Sequence, residues 1–399
     1  MPSKTTRIER AGELHDLCRF LGEHSAFALD MEFESERTYW PKLQLVQIGV
    51  PERSVLVDPL ALEDLTPLWD LIADPSIVKI AHACRQDMEI FFHLSGRAPQ
   101  GVFDTQVAAA MIGLGEQIGY ANLVHRLLGV RLKKTERITD WGRRPLSPAQ
   151  ERYALDDVVY LPQLRDRLVD RLETLGRTAW VEEETSRYSN PETYLRDPGE
   201  AYRRVSGKGS LNRRDLGILR ELARWREEEA ARRNIPRNRV LPDDVLVEIT
   251  ARRPEHPDQL KPLRRLHSRE RERSGDALVA AVARGMVLPE TDLPVSRRRL
   301  SEDPDLTLVA HLLDVLVRMR GRSHEIAPSY LSNQKGIRHL VDWLAGRTNG
   351  DEPPPLLQGW RRELVGEDLL ALYNGRLALK VDAGVLRPVP VEEQSDLPD

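Results

Sequence analysis

Asp30 and Glu32 stand two residues apart in the run ALDMEF (28–33). Side chains on a strand alternate faces, so the two carboxylates project together while Leu29, Met31 and Phe33 face a core. Like charges aimed together from an apolar strand repel one another and are costly to desolvate. A divalent cation removes that cost, and hard Mg²⁺ or Mn²⁺ takes oxygen ligands. Taken alone, an Asp-x-Glu is more readily a solvated strand end. Asp87 lies in HACRQDMEIFF (82–92), with Ile90 and Phe91 on its helical face. An acid there suits metal chemistry, but it also complements the positive end of a helix dipole. Tyr153 and Asp157 are four residues apart in QERYALDDVVYL (150–161) and stack on one helix face. Asp157 could join Asp30 and Glu32 around a metal, with the Tyr153 hydroxyl orienting a water. Tyr153 also fits an ordinary half-buried aromatic. Asp156 is rotated roughly 100° away, which favours Asp157 as the ligand. His82, at a strand end, is read as a structural hydrogen-bonder.

The elements that must position these groups alternate strand and helix. Residues 25–33, 43–50 and 54–58 read as strands, the last two as a hairpin turning at Pro51–Arg53. Helical patterns cover 65–73, 84–94 and 119–128, with Gly96 and Gly129 as stops. Residues 77–83 and 102–103 read as short strands, and a helix starts near Asp104–Thr105. Ser147, Pro148 and Gln150 form a capping-box helix start, and the pattern continues to about Gly176 as one long helix. A mixed sheet with helices on both faces follows. From about Lys208 strand signals vanish. A charged helix at 211–233 opens one helical unit, and a second all-helical unit is expected over about 305–382. The acidic, Pro-rich end (384–399) reads as disordered.

The chain has 399 residues, enough for two or three domains, with 40% hydrophobic and 31% charged residues. The net charge of −4 gives no global sign of nucleic-acid binding, so any basic surface must be local. Arg131, Lys133, Lys134, Arg137, Arg143 and Arg144 precede the Tyr153 helix and could track phosphates, foremost Lys133, Lys134, Arg143 and Arg144. Tyr39, Trp40 and Trp141 are candidate base stackers or packing residues. Residues 203–239 hold twelve basic and five acidic residues, the kind of excess expected of a nucleic-acid footprint. Cys18 and Cys84 are the only cysteines, which excludes a disulfide framework or a CxxC zinc site. No secretory leader or membrane-length apolar run is visible, and a cytoplasmic location is expected.

Asp-x-Glu on an early strand, an Asp on a later helix and Tyr-x-x-x-Asp on a late helix resemble the DEDD exonuclease superfamily in its tyrosine subclass. ALDMEF, YWPKLQLVQIG (39–49), VDPL (57–60), KIAHACRQDMEIF (79–91), FDTQVAAAMIG (103–113) and TDWGRRPLSPAQERYALDDVVYLPQL (139–164) resemble ribonuclease D. That resemblance runs almost continuously over residues 5–200. LNRRDLGILRELARWREEEAARRNIPRNRVLPDDVLVEIT (211–250) resembles the helicase-and-RNase-D C-terminal (HRDC) domain. LLQGWRRELVGEDLLALYNGRLAL (356–379) is similar to the end of ribonuclease D, a second, diverged HRDC-like unit.

The resemblance implies an α/β ribonuclease-H-like exonuclease domain over 1–200. All-α HRDC domains would follow at 208–290 and 303–383. It implies 3′→5′ hydrolysis of single-stranded RNA ends, releasing nucleoside 5′-monophosphates, with tRNA precursors as the expected substrates and a monomer as the working form. It assigns two divalent ions, Mg²⁺ or Mn²⁺, to Asp30, Glu32, Asp87 and Asp157, and the orienting of the attacking water to Tyr153. Met31 departs from the family, where a small polar Thr is expected, and bears on packing behind the strand. A DNA 3′→5′ exonuclease has the same carboxylates, but the HRDC pair favours RNA. A catalytically silent RNA-binding protein is the remaining alternative, and the complete acid set speaks against it.

Overall fold

The computed structural model describes residues 6–132, 139–294, 303–348 and 352–391. The first half runs β1 (Thr6–Ile8), α1 (Ala11–Gly22), β2 (Ala26–Glu34), β3 (Lys42–Val50), β4 (Arg53–Val57), α2 (Thr66–Ile72), β5 (Val78–Ala81), α3 (Arg85–Ser95) and β6 (Val102–Asp104). Then come α4 (Thr105–Met111), α5 (Tyr120–Leu128), α6 (Pro148–Val159), α7 (Leu161–Leu175) and α8 (Thr178–Ser186). The six strands form one sheet in the order β1-β4-β3-β2-β5-β6. Only β3 runs against its neighbours, so β2 carries its acids at the same sheet edge where β4, β5 and β6 end.

Strand alternation sorts β2 as the sequence requires. Phe27, Leu29 and Met31 enter a core with α1, α2 and α3. Met31 is buried there, away from the acids, and packs behind the strand. Ala28 faces the opposite layer of α4, α5, α6 and α7. A bulge between Glu32 and Phe33 interrupts the β2–β3 ladder. Such a bulge bends a strand and re-aims its side chains. The helix α6 lies across this second face. A Cβ added to Gly49 of β3 would sit 3.0 Å from the Val158 carbonyl oxygen and 3.2 Å from its Cβ. Glycine at 49 therefore lets α6 approach the sheet closely.

Ser147 and Gln150 complete the capping box that starts α6, at 3.2 and 2.9 Å. The single long helix expected to Gly176 is broken at Tyr160. Pro162 has no N–H to continue the ladder and falls in the first turn of α7, where proline is tolerated. This break lets α6 and α7 take separate directions over the sheet.

The second half continues with α9 (Arg213–Arg233), α10 (Arg237–Val240), α11 (Asp243–Arg252) and α12 (Ser268–Met286) around their own core. Next come α13 (Pro304–Ser323), α14 (Pro328–Leu331), α15 (Gln334–Leu344) and a helix at Glu367–Tyr373. The last unit is not all helical. β7 (Leu377–Asp382) and β8 (Val385–Pro390) form an antiparallel hairpin, so part of the expected disordered tail is paired strand. Gly384 turns it at φ +78°, a conformation glycine adopts freely. Leu379 and Val381 alternate with polar residues, a period-two signal too short to outweigh the helical pattern before it.

The last unit shares one hydrophobic core with the nuclease layer. Leu313, Leu316, Trp360 and Leu369 belong to the same buried cluster as Ala108, Leu164 and Leu168. Trp180 of α8 stacks on Trp360 at 5.2 Å. Arg177 donates to the carbonyls of Met111 and His324 at 2.7 and 2.9 Å, tying the two units together.

Candidate active site

The strand β2 delivers Asp30 and Glu32 to one face, and α6 brings Asp157 over them. One ligand oxygen from each of the three lies within 4.8 Å of the others. Asp87, in the first turn of α3, is buried and close enough to act on Asp30, but lies outside that three-carboxylate group. Tyr153 sits one turn before Asp157. Its ring packs beside Trp141, 6.0 Å between centroids, on a cluster with Leu45, Leu56 and Ala154.

The electrostatics of these acids are one-sided. Burial lifts Asp30 well above the ordinary carboxylate range, and Asp87, Asp157 and Glu32 push it further. Burial and then Asp157 push Glu32 up to about 8. Burial and then Asp156 push Asp157 up to about 7. Asp87 is raised well above its usual value by burial, then by Glu32 and Asp104. Among the described residues, every charged group acting on the four is another acid. Hard oxygen donors gathered in this way are a donor set that suits a divalent cation.

Two residues that sequence reasoning missed shape this site. Asp104 is buried and accepts hydrogen bonds from the Ala83 and Cys84 backbone N–H groups at 2.9 and 3.2 Å. It also accepts from the Tyr188 hydroxyl at 3.0 Å and caps α4 through Gln106. Ala83 has φ +54°, a strained conformation for a residue with a side chain, immediately before the helix that carries Asp87. Asp104 thus pins the entry to α3. Only its N-cap role is visible in the run FDTQ. We expect Asp104→Asn to lower stability by about 1–3 kcal/mol in urea unfolding, because the amide offers one acceptor oxygen where the carboxylate offers two. Turnover should fall as Asp87 loses its register. Wild-type turnover in that variant would exclude the pinning role. Tyr120 is the second. Its hydroxyl donates to the Asp156 carbonyl at 2.9 Å, and burial followed by Asp157 raises its pKa. His82 is held by Thr105 and the Ile118 carbonyl at 2.9 and 3.0 Å, a structural role.

The basic candidates fare differently. Lys133, Lys134 and Arg137 lie outside the described residues. Arg143 is exposed beside the Trp141–Arg144 turn. Arg144, expected to track phosphate, is used inside the fold instead. Its guanidinium grips Asp58 at 2.5 and 2.9 Å and donates to the Gln44 and Trp141 carbonyls. Asp58 is almost wholly buried. Arg144→Met should therefore cost about 3–5 kcal/mol, the penalty of a buried carboxylate left unpaired. Urea unfolding measures this; a variant as stable as wild type but weak in RNA binding would restore the phosphate-tracking role.

The apparent excess of base over acid at 203–239 is largely absorbed from outside that window. Glu200, Asp243, Glu270 and Glu290 pair with Arg203, Arg226, Arg233 and Arg214. Arg237 and Arg239 have no carboxylate partner among the described residues. Trp141 is buried and belongs to the core. Tyr39 and Trp40 instead bridge to the helical unit: the Tyr39 hydroxyl donates to Glu227 at 3.1 Å, and the Trp40 N–H donates to Asn234 at 3.0 Å. Trp40 also stacks on His93 at 3.9 Å. A cleft of about 200 Å³ opens here between Phe33, which follows Glu32, and Gln86, which precedes Asp87.

Residues 6–173 match a 3′-5′ exonuclease family, and residues 215–282 match the HRDC domain. The chain is 42% identical to ribonuclease D of Granulibacter bethesdensis, over 94% of each chain. It is 42% identical to ribonuclease D of Gluconacetobacter diazotrophicus over 91% of each. Among solved structures, it superimposes on Escherichia coli RNase D, described as an exoribonuclease involved in structured RNA processing. That match has a TM-score of 0.84 at 31% identity and covers 94% of this chain and 99% of the other.

Proposed function

The chain belongs to the ribonuclease D family and is a 3′→5′ exoribonuclease, and from that premise we propose that it trims the single-stranded 3′ ends of structured RNAs, tRNA precursors above all, by two-metal hydrolysis. The observation that carries the mechanism is the gathering of Asp30, Glu32 and Asp157 within 4.8 Å, with only acids acting on them among the described residues. These three would hold one ion and share Asp30 with a second that Asp87 supports. When bound, divalent ions supply Lewis acidity at the scissile phosphate and make water a nucleophile near neutral pH.

The remaining work falls to the chain. Asp30 and Glu32 are fixed by the β2 ladder, and Asp157 by the close seating of α6 at Gly49. Tyr153, one turn before Asp157, orients the attacking water. The water oxygen, giving up a proton to solvent, bonds to the terminal phosphorus as the bond to the penultimate 3′ oxygen breaks; that oxygen takes a proton from solvent to become the new 3′-hydroxyl, and a nucleoside 5′-monophosphate is released. The cleft beside Phe33 and Trp40 would take the terminal nucleotide, because it opens between the two acid-bearing elements and offers aromatic faces.

We place the nuclease domain at 1–200, the HRDC domain at 208–290 and a diverged HRDC-like unit after 303, its end moved to the β7–β8 hairpin. RNA contact by the first helical unit would use Arg237 and Arg239 rather than the paired arginines. Arg143, exposed ahead of α6, and Lys133 and Lys134 are proposed phosphate contacts. A monomer acting in the cytoplasm completes the proposal; among the described residues no helix is long and apolar enough to cross a membrane.

The test is digestion of a 5′-labelled RNA duplex with an unpaired 3′ tail, beside the matching DNA, with Mg²⁺, Mn²⁺ or EDTA. A ladder shortened from the 3′ end, on RNA and only with metal, supports the proposal. Equal shortening of DNA would favour the DNA reading. Binding without shortening in any metal would overturn the mechanism.

A further inference from the structure

Gln47 lies at the centre of β3, fully buried at 0% exposure. In the β2–β3 ladder it is the direct partner of Asp30, and on its other side it faces Leu56 of β4. Residues directly opposed in an antiparallel pair project to the same face, with Cβ atoms roughly 4.5–5.5 Å apart. The Gln47 side chain therefore shares with Asp30 the face covered by α6. Two residues along β3 on that same face, Gly49 meets Val158; two residues the other way, Leu45 packs with Ala154. Gln47 is thus walled in by the sheet, the catalytic helix and the metal-binding acids.

Neither the Nε2 nor the Oε1 of Gln47 has a hydrogen-bond partner among the described residues. A buried amide without partners is costly, and an apolar side chain of the same shape would avoid that cost. A glutamine at this place calls for a partner that appears in another state of the site. Asp30 is the polar group opposed to it in the ladder. A cation held by the acids would fix where the Asp30 oxygens point and so give the amide a defined acceptor.

We propose that Gln47 is the positioning residue of the metal cluster: its amide Nε2 donates to the Asp30 carboxylate when a divalent ion is bound and fixes that carboxylate's orientation. This rests on the metal reading of the site. It names a role outside the acids and the tyrosine, for a residue that touches neither substrate nor ion. Groups that orient a ligand from behind commonly carry tenfold to a hundredfold in metal affinity.

The test compares full-length wild type, Gln47→Met and Asp157→Asn. Mn²⁺ binding is followed by electron paramagnetic resonance, and unfolding of the metal-free proteins is measured separately. Gln47→Met keeps the length and shape but removes the hydrogen-bonding group. The expected result is Mn²⁺ binding weakened about tenfold or more, with metal-free unfolding at or above the wild-type temperature. Unchanged Mn²⁺ binding in Gln47→Met, with Asp157→Asn impaired, would overturn this inference and leave the metal reading intact, as would a buried water satisfying Gln47. Failure of wild type to bind Mn²⁺ would overturn the metal reading itself and this inference with it. If Gln47→Met does not fold, Gln47→Asn is read the same way. A shortened amide that binds Mn²⁺ like wild type overturns the role, and one that binds it weakly in a stable fold upholds it.

Discussion

Asp157→Asn lowers the rate of 3′ shortening by roughly a thousandfold, about 4 kcal/mol of transition-state stabilisation, while its metal-free form unfolds at a higher temperature than wild type. The two effects have one origin. Asp157 raises the pKa of both Asp30 and Glu32 and is itself pushed up to about 7. Three acids within 4.8 Å are useful to a cation and costly without one. An amide at 157 keeps the shape, removes one charge from the cluster and offers a poorer ligand. The relief should appear as roughly 2–4 °C of melting temperature for each kcal/mol regained. Labelled-RNA digestion measures the first effect and calorimetry on EDTA-treated protein the second. A variant with near-wild-type turnover would remove Asp157 from the machinery. A variant that is inactive and also less stable would mean that its side chain holds the fold.

The metal-free protein should lose stability as pH rises, and a divalent ion should restore it. In the fold Glu32 is pushed up to about 8 and Asp157 to about 7. Unfolded chains hold these groups near ~4.3 and ~3.9. Between those limits the folded state binds more protons than the unfolded one, so stability falls with rising pH. The contribution is fully present below about pH 4 and is lost as pH climbs through 7 to 8. Mn²⁺ at a hundred times its dissociation constant would add about 2.7 kcal/mol, on the order of 5–10 °C. That gain is larger at pH 8 than at pH 5.5, where protons compete for the ligand oxygens. Melting curves at the two pH values, with EDTA or Mn²⁺, separate the cases. A gain from Mn²⁺ that is equal at both pH values would dissociate the acids from the ion. Asp157→Asn is the control, since it should flatten the dependence.

Much of this was legible in the sequence because the site is written in short, local spacings. Asp-x-Glu needs only strand alternation, and Tyr-x-x-x-Asp needs only a helix turn, so faces follow from numbering. The hairpin 43–58 and the start at Ser147 carried their own turn and cap residues. What escaped reading depends on pairing across the chain. Arg144 reads as a free base until Asp58, 86 residues earlier, is seen to hold it. The arginines of 203–239 read as a surplus because Glu270 and Glu290 lie beyond the window. Asp104 and Gln47 acquire meaning from the backbone of α3 and the register of β2, neither of which a linear pattern displays. The break at Tyr160 is the exception: Pro162 was in plain view, and the continuing apolar period hid it.

The shared core of the nuclease layer and the last unit bears on how the protein is made. Synthesis proceeds from the N-terminus, so α4 and α7 leave the ribosome well before α13, Trp360 and Leu369, which cover them. At roughly 5–20 residues per second, the stretch between Leu175 and Pro304 holds that apolar face open for roughly 6–26 seconds. The catalytic acids are already encoded by then, yet the layer that braces α7 is unfinished. The nuclease layer and the unit that packs on it therefore complete one core together, late in synthesis.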